Sequence, residues 1–296
     1  MKRMSGAIAT LFVLMHPGTV QATEHDQPCF RVFDASGFRG KPNLAPYGIE
    51  PATVIYARNH FWPGMKNLDR LPQRAAVTAM IRLHYVTPRR PTSALTVIDL
   101  EHWPNKGEDS VVAQSVEKYL TLFEWIKEDV GPETLVGYYG IPPIRDYWRA
   151  IKAPATQDYL QWQAENDKFT RLADAVEVLT PSLYTFYDDP AGWDLYATAN
   201  VSEARRLAPG KPVYPFVWPH YHEGGDQKGY IGKEHWLAQL KTLERIADGV
   251  VIWAGLETWD EDAGWWEATR EFLASSSRVC TGSQANSPGM RATRPN

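Results

Sequence analysis

The chain has 296 residues, 44% of them hydrophobic and 22% charged, enough to bury one large core or two small ones. A formal net charge of −4 with no long basic run argues against nucleic acid as the main partner. Twelve Trp and fourteen Tyr are many for this length, and flat aromatic faces suit sugar rings as well as packed cores.

The N-terminus reads as an export signal. Lys2 and Arg3 precede an apolar stretch from Gly6 to Met15, and Val20-Gln21-Ala22 matches the positions a signal peptidase reads, which predicts cleavage before Thr23. The apolar stretch is too short to span a bilayer, so residues 1–22 are excluded from the fold. No stable membrane insertion is expected after cleavage, and the mature chain is expected to be secreted or periplasmic. The two cysteines, Cys29 and Cys280, lie near opposite ends of that chain. In an exported protein they are a candidate disulfide, worth on the order of 4–5 kcal/mol in the chain-entropy model; two unpaired buried thiols are the alternative.

Short β-branched runs then alternate with amphipathic stretches. Strands are expected at Cys29–Asp34, Thr53–Ala57, Leu95–Leu100, Thr134–Tyr139, Val176–Tyr184, Pro212–Trp218 and Gly249–Ala254. Helices are expected at Leu71–Tyr85, Val111–Asp129, Gln157–Ala175, Trp193–Leu207, Lys233–Ala247 and Trp265–Ala274. Within the second of these, Val112, Val116, Tyr119, Phe123 and Ile126 alternate steps of four and three, the helical period. Regular alternation without a GxGxxG turn points to an α/β fold, a TIM-like (β/α) barrel, distorted and with seven or eight strands. Residues 23–275 are expected to form this single domain, and 276–296 a polar tail, mobile apart from Cys280.

The third strand carries the chemistry. Leu95-Thr96-Val97-Ile98-Asp99-Leu100-Glu101 ends in two carboxylates two residues apart, and alternate strand residues share a face. Two acids held that close resist ionising together, and one is pushed to a higher pKa. Glycosidic bond cleavage needs an acid kept protonated beside a second polar partner. A strand end with two solvated acids is the bland reading of the same residues. Barrel chemistry sits at the C-terminal strand ends. Tyr138 and Tyr139, Tyr184, Trp218 and Tyr221, and Trp253 fall at the next four ends, making a rim of acids and aromatics.

These residues resemble the animal and venom hyaluronidases. Val97-Ile98-Asp99-Leu100-Glu101-His102-Trp103 is similar to that family's catalytic strand, and Gly137-Tyr138-Tyr139-Gly140-Ile141-Pro142 to its next strand end. Pro181-Ser182-Leu183-Tyr184, Val213-Tyr214-Pro215-Phe216 through Tyr221, and Gly249-Val250-Val251-Ile252-Trp253 follow in the same order. The resemblance implies a distorted barrel and a retaining endo-β-N-acetylhexosaminidase in which the substrate's own acetamido group is the nucleophile. It implies Glu101 as general acid and then base, with Asp99 and Tyr184 orienting and polarising the acetamido group. Tyr221 and Trp253 would line the subsite, Tyr139 would lie beside them, and Tyr56 matches a substrate-contacting tyrosine more loosely. A disulfide from an early strand to the last helix is implied too, which fits Cys29 and Cys280. The implied partner is a polysaccharide containing N-acetylhexosamine, and no cofactor or metal is implied. The chain departs from the family in a shorter Trp103–Val111 stretch, in Pro104 where the family has arginine, and in lacking a second disulfide. Fold and reaction type therefore carry over better than the identity of the polymer.

Other features read more plainly. His220-Tyr221-His222-Glu223 has a chelating spacing but no further ligand cluster, so a surface loop is expected. Asn200-Val201-Ser202 fits a glycosylation sequon. Gly224 to Gly229 is expected to be a rim loop. Asp188, Asp189, Glu257, Asp260, Glu261 and Asp262 crowd the rim and disfavour a densely anionic polymer unless Arg58, Lys66, Arg145 or Lys228 offsets them. Two other readings stay open: a non-catalytic sugar-binding protein on the same barrel, and a glycosidase using Glu257 or Asp260 as nucleophile. The sequence assigns no oligomeric state.

Overall fold

The computed structural model describes residues 28–62, 68–85, 93–223 and 228–280. The export signal, Lys66, residues 224–227 of the rim loop and the tail beyond Cys280 lie outside the described residues. Six parallel strands are present among the described residues: β1 (Arg31–Ser36), β2 (Ile49–Tyr56), β3 (Leu95–Asp99), β4 (Leu135–Tyr138), β5 (Phe216–Val217) and β6 (Gly249–Ala254). Their order is β4-β3-β2-β1-β6-β5, a sheet curled so that its first and last strands face a common gap. Residues 176–185 fill that gap. Thr180 bridges Tyr139 on one side, while Leu179 and Ser182 bridge Val213 and Phe216 on the other.

The fifth predicted strand is thus a set of isolated bridges instead of a regular ladder, and the predicted Pro212–Trp218 strand shrinks to two residues. Pro181, Pro212 and Pro215 sit at the shared seam and have no N–H to give. The carbonyl oxygens still accept: Tyr214 N donates to Leu179 O, Phe216 N to Pro181 O and Leu183 N to Phe216 O. Glycine permits close approach at the closing seam, where Gly137 faces Val178, and inside the β1–β6 ladder, where Gly249 faces Arg31. A β-carbon on Gly137 would lie 2.4 Å from Val178 O, and one on Gly249 would lie 2.4 Å from Arg31 O. With those bridges the curled sheet becomes a ring of seven chain segments, the number read from the sequence.

The helices are α1 (Ala57–His60), α2 (Arg74–His84), α3 (Asp109–Val130), α4 (Tyr147–Ala150), α5 (Gln157–Asp167), α6 (Thr170–Ala175), α7 (Pro190–Leu207), α8 (Lys233–Ile246) and α9 (Gly264–Ser275). The predicted Gln157–Ala175 helix is broken in two. The buried Asn166 carboxamide accepts from Ile144 N at 2.7 Å, and Phe169 N turns back to Asn166 O. A side chain committed outside its own helix competes with the continuing backbone ladder. Helices α1 and α4 span one turn each, too short to show a period. The sequon asparagine, Asn200, is buried within α7 with its amide donating to Tyr196 O, so it presents no acceptor at the surface.

Helices cover the outside of the ring in two apolar layers. One packs Trp193, Tyr196, Trp236, Leu240, Trp265 and Trp266 beneath β1 and β6; the other packs Val112, Tyr119, Leu122 and Ile126 of α3 beneath β3 and β4. The interior is filled by Phe33, Leu95, Val97, Val178, Tyr214, Phe216 and Val251, so the barrel is a packed core and not a pore. No helix among the described residues is long and apolar enough to cross a membrane.

Cys29 and Cys280 form a disulfide. The segment after α9 is also held by backbone: Phe30 N donates to Arg278 O and Cys280 N to Phe30 O. The bond closes a loop with a sequence separation of 251, so its entropic effect on the unfolded chain is large, on the order of 4–5 kcal/mol. Reduction is expected to lower Tm by several degrees in a thermal melt with and without reductant. An unshifted melt would mean that the backbone bonds alone hold the chain ends.

Candidate active site

Each strand carries an inward file of alternate residues, and the file continues past the core to the C-terminal end of the ring. Val54 leads to Tyr56, Val97 to Asp99 and Glu101, Gly137 to Tyr139, Ser182 to Tyr184, Phe216 to Trp218, and Val251 to Trp253. Parallel pairing then sets the files side by side. Tyr56 is in register with Asp99, and Trp253 with Ala35 on the strand between β6 and β2. Seven segments with one polarity therefore deliver their polar and aromatic ends to one place.

Across that end, Trp253 Nε1 donates to the Tyr56 hydroxyl at 2.9 Å, joining β6 to β2 over β1. The Trp253 ring stacks on Tyr184 with centroids 5.7 Å apart and meets Trp218 edge-on at 5.1 Å. Tyr184 is also 5.7 Å from Tyr139, whose hydroxyl bonds the Ser182 hydroxyl at 2.9 Å. Burial, then the neighbouring Tyr139, hold the Tyr184 phenol well above the usual range, with Asp99 adding to the effect. Tyr184 is therefore a neutral O–H donor at any physiological pH. Burial likewise pushes Tyr139 up to about 12, with Glu101 adding to it.

Asp99 lies deeper than Glu101, which is exposed. Burial first, and the Glu101 carboxylate second, push the Asp99 carboxyl up to about 6. Among the described residues neither carboxylate receives a hydrogen bond or faces a basic side chain in ion-pair range. Asp99 has no partner to offset its burial, so keeping it ionised is a cost that packing does not require. The loop beyond it is anchored by Trp103, which is buried, donates from Nε1 to Leu68 O at 2.9 Å and packs on Tyr119. His102 packs on Trp62 at 4.9 Å and contacts Leu68 O, a packing position.

Asp99, Glu101, Tyr184, Tyr56, Tyr139 and Trp253 thus converge. Tyr221 does not join them: its hydroxyl donates to Asp188 at 2.7 Å, and the two line a depression of about 530 Å³ with Lys228, Tyr230 and His235. Its neighbour His222 instead packs against Tyr184 and Trp218. His220 stacks on Trp218 as well and lies 3.1 Å from Glu257, so the two imidazoles share Trp218 but differ in their other neighbours. Among the described residues no group of three or more potential metal ligands converges. Ser182 and His222 are the residues at this site that sequence reasoning passes over. The signal for Ser182 was its period-two relation to Tyr184.

Comparisons with known proteins bear on the fold. No family model matches the chain. The honeybee (Apis mellifera) protein named hyaluronidase is 28% identical over 173 residues, covering 54% of this chain and 44% of its own length, so the match spans less than half of that relative. The crystal structure of bee venom hyaluronidase superposes with a TM-score of 0.55 at 19% identity, over 83% of this chain and 97% of the other. Its complex with a hyaluronic acid tetramer gives 0.58 at 18% identity, over 83% and 96%. The chain is therefore similar over part of its sequence to the honeybee hyaluronidase, and over most of its length it shares the barrel fold of bee venom hyaluronidase.

Proposed function

We propose that this protein is an exported retaining glycoside hydrolase that cleaves polysaccharide containing N-acetylhexosamine, with the substrate's acetamido group as nucleophile. The observation that carries the reading is the unpartnered Asp99–Glu101 pair at the end of β3, with Asp99 within electrostatic reach of Tyr184 and Glu101 of Tyr139. The fold likeness and the honeybee match support a glycosidase. The disulfide fits an oxidising compartment outside the cytoplasm.

In this mechanism the acetamido oxygen attacks the anomeric carbon as Glu101 gives its proton to the leaving glycosidic oxygen, breaking that C–O bond and forming an oxazolinium. Asp99, anionic above about pH 6, takes the acetamido N–H and stabilises the positive ring that forms. Tyr184 donates its O–H to the acetamido oxygen. Water then attacks the anomeric carbon, Glu101 takes its proton, and the amide is restored with net retention. The intramolecular attack gains from proximity, with effective molarities that can reach ~10⁵ M or more. Trp253 is the apolar wall against the acetamido methyl, and the Tyr56 hydroxyl, which accepts from Trp253, keeps its own proton for a sugar oxygen.

Mass spectrometry of products from hyaluronan, chondroitin and chitin oligomers tests the reading. Products that gain one water per cleavage are expected; products lacking water would mean elimination and overturn it, and binding without cleavage would make this a sugar-binding protein. Tyr184→Phe is expected to lower turnover by about 10- to 1000-fold, the effect of one transition-state donor, with little change in melting temperature. Turnover within about twofold of the parent would remove Tyr184 from the mechanism.

A further inference from the structure

Residues 182–184 keep their place without a regular ladder. Pro181 and Pro215 have no N–H to give at this seam, and the Ser182 and Leu183 carbonyls accept from the helix outside the ring. The Tyr196 hydroxyl donates to Ser182 O at 2.9 Å and Trp193 Nε1 donates to Leu183 O at 3.0 Å, both from α7. On the inner side Leu183 N donates to Phe216 O at 2.9 Å. Tyr196 and Trp193 are themselves buried, so packed side chains fix the backbone that carries Ser182 and Tyr184.

Tyr139 faces this segment from the end of β4. Its N–H donates to Ile98 O at 3.0 Å, Gly140 N donates to Thr180 O at 2.9 Å, and its ring packs edge-on against Phe216 at 5.2 Å. The Tyr139 hydroxyl bonds Ser182 Oγ at 2.9 Å and also hydrogen-bonds the Tyr184 hydroxyl. Three hydroxyls therefore form a chain, Ser182–Tyr139–Tyr184, and its outer end is the phenol that serves as donor in the mechanism above. Ser182 is 3% exposed and Tyr139 7%, so water does not compete for the inner links. Among the described residues no other group bonds the Ser182 or Tyr184 hydroxyl.

Each hydroxyl has one proton to give and lone pairs to accept with, so the chain can run in either direction. With the cleft empty, the Tyr184 proton rests on the Tyr139 oxygen and the Tyr139 proton on Ser182. When Tyr184 turns its proton to an acetamido oxygen, its own oxygen loses that link. Tyr139 restores it by turning its proton to the Tyr184 oxygen, and Ser182 then donates to Tyr139. The reversal rotates three O–H bonds and moves no heavy atom. A hydroxyl that accepts one hydrogen bond makes a stronger donor in the next, so the reversed chain strengthens Tyr184 at the moment its proton is needed.

We propose that Tyr139 and Ser182 are positioning residues, which hold the Tyr184 oxygen through a reversible chain of hydroxyls and keep its proton directed at the substrate. Tyr139 acts behind Tyr184 and not as a sugar contact. The proposal rests on the glycosidase reading above and adds two residues to it.

A double-mutant cycle in kcat tests it, run on whichever of the hyaluronan, chondroitin and chitin oligosaccharides the parent cleaves, after a thermal melt has shown each variant folded. Tyr139→Phe is expected to lower kcat by about tenfold with KM within about twofold. Ser182→Ala, which cuts the chain one link further back, is expected to lower it by about threefold. In a Tyr184→Phe background, where no proton is left to direct, adding Tyr139→Phe is expected to change kcat by less than about twofold. An equal loss in both backgrounds, a loss confined to KM, or an unchanged kcat would overturn the role of Tyr139 behind Tyr184. An unchanged kcat in Ser182→Ala would overturn the role of Ser182. Any of these results, obtained on a parent that cleaves and a Glu101→Gln protein that does not, leaves the reading of the acid pair intact. No cleavage by the parent would overturn that reading and the proposal together.

Discussion

Glu101→Gln is expected to lower turnover by roughly 10²- to 10⁴-fold, the range for removing a positioned general acid, while leaving folding unchanged. The carboxamide matches the carboxylate in shape but has no proton to give to a leaving oxygen and no basicity to take one from water. Glu101 is exposed and has no hydrogen bond or ion pair among the described residues, so the exchange breaks no contact. Surface changes of this kind stay within about 0.5 kcal/mol, and removing the charge beside Asp99 also lets Asp99 ionise more easily. The check is product formation against a melting curve. Activity within about tenfold of the parent with an unchanged melt would place the proton donor elsewhere.

Asp99→Asn should separate activity from stability in opposite directions. Turnover is expected to fall by about 10²-fold or more, because the forming oxazolinium loses the anion that holds its N–H. Stability is expected to rise at pH 7. The Asp99 carboxyl is pushed from its ordinary value of 3.8 up to about 6, and each pKa unit corresponds to about 1.36 kcal/mol. Keeping it ionised in the fold at pH 7 therefore costs roughly 3 kcal/mol. Between about pH 4 and 6 the folded chain holds this proton more tightly than the unfolded chain, so stability falls as pH rises through that window. Above it the penalty is complete; below it the penalty is gone. The asparagine variant should be more stable by roughly 1–3 kcal/mol at pH 7, an advantage that shrinks towards zero near pH 4. Thermal melts at the two pH values test this. An advantage independent of pH would mean that Asp99 carries no such penalty.

These two carboxylates were legible in the sequence because their relation is local. Two acids two residues apart on a β-branched run share a strand face whatever the rest of the chain does, and Ser182 and Tyr184 follow the same rule. Most helices were legible for the same reason: the step pattern from Val112 to Ile126 acts within a few turns. The seven-segment count also followed from local alternation, since a strand–helix repeat with no nucleotide-binding turn has few other ways to bury both sheet faces.

Only the tertiary structure could decide relations between segments distant in the chain. Period two says that Tyr221 and His222 point to opposite sides, but not which of them meets Tyr184; that depends on how the segment bridges Thr185 and Tyr230. The prolines at positions 181, 212 and 215 are visible in the sequence, yet their effect, a seam of isolated bridges in place of two ladders, appears only once those segments are neighbours. The upward shift of Asp99 needs the burial that the closed ring supplies, and the bond between the Tyr139 and Ser182 hydroxyls needs residues 43 apart in the chain to be set side by side. Sequence alone determined which faces carry acids and aromatics, because those forces act over a few residues. Partnership, burial and charge balance were settled by closure of the barrel, because they depend on what the rest of the chain places around each face.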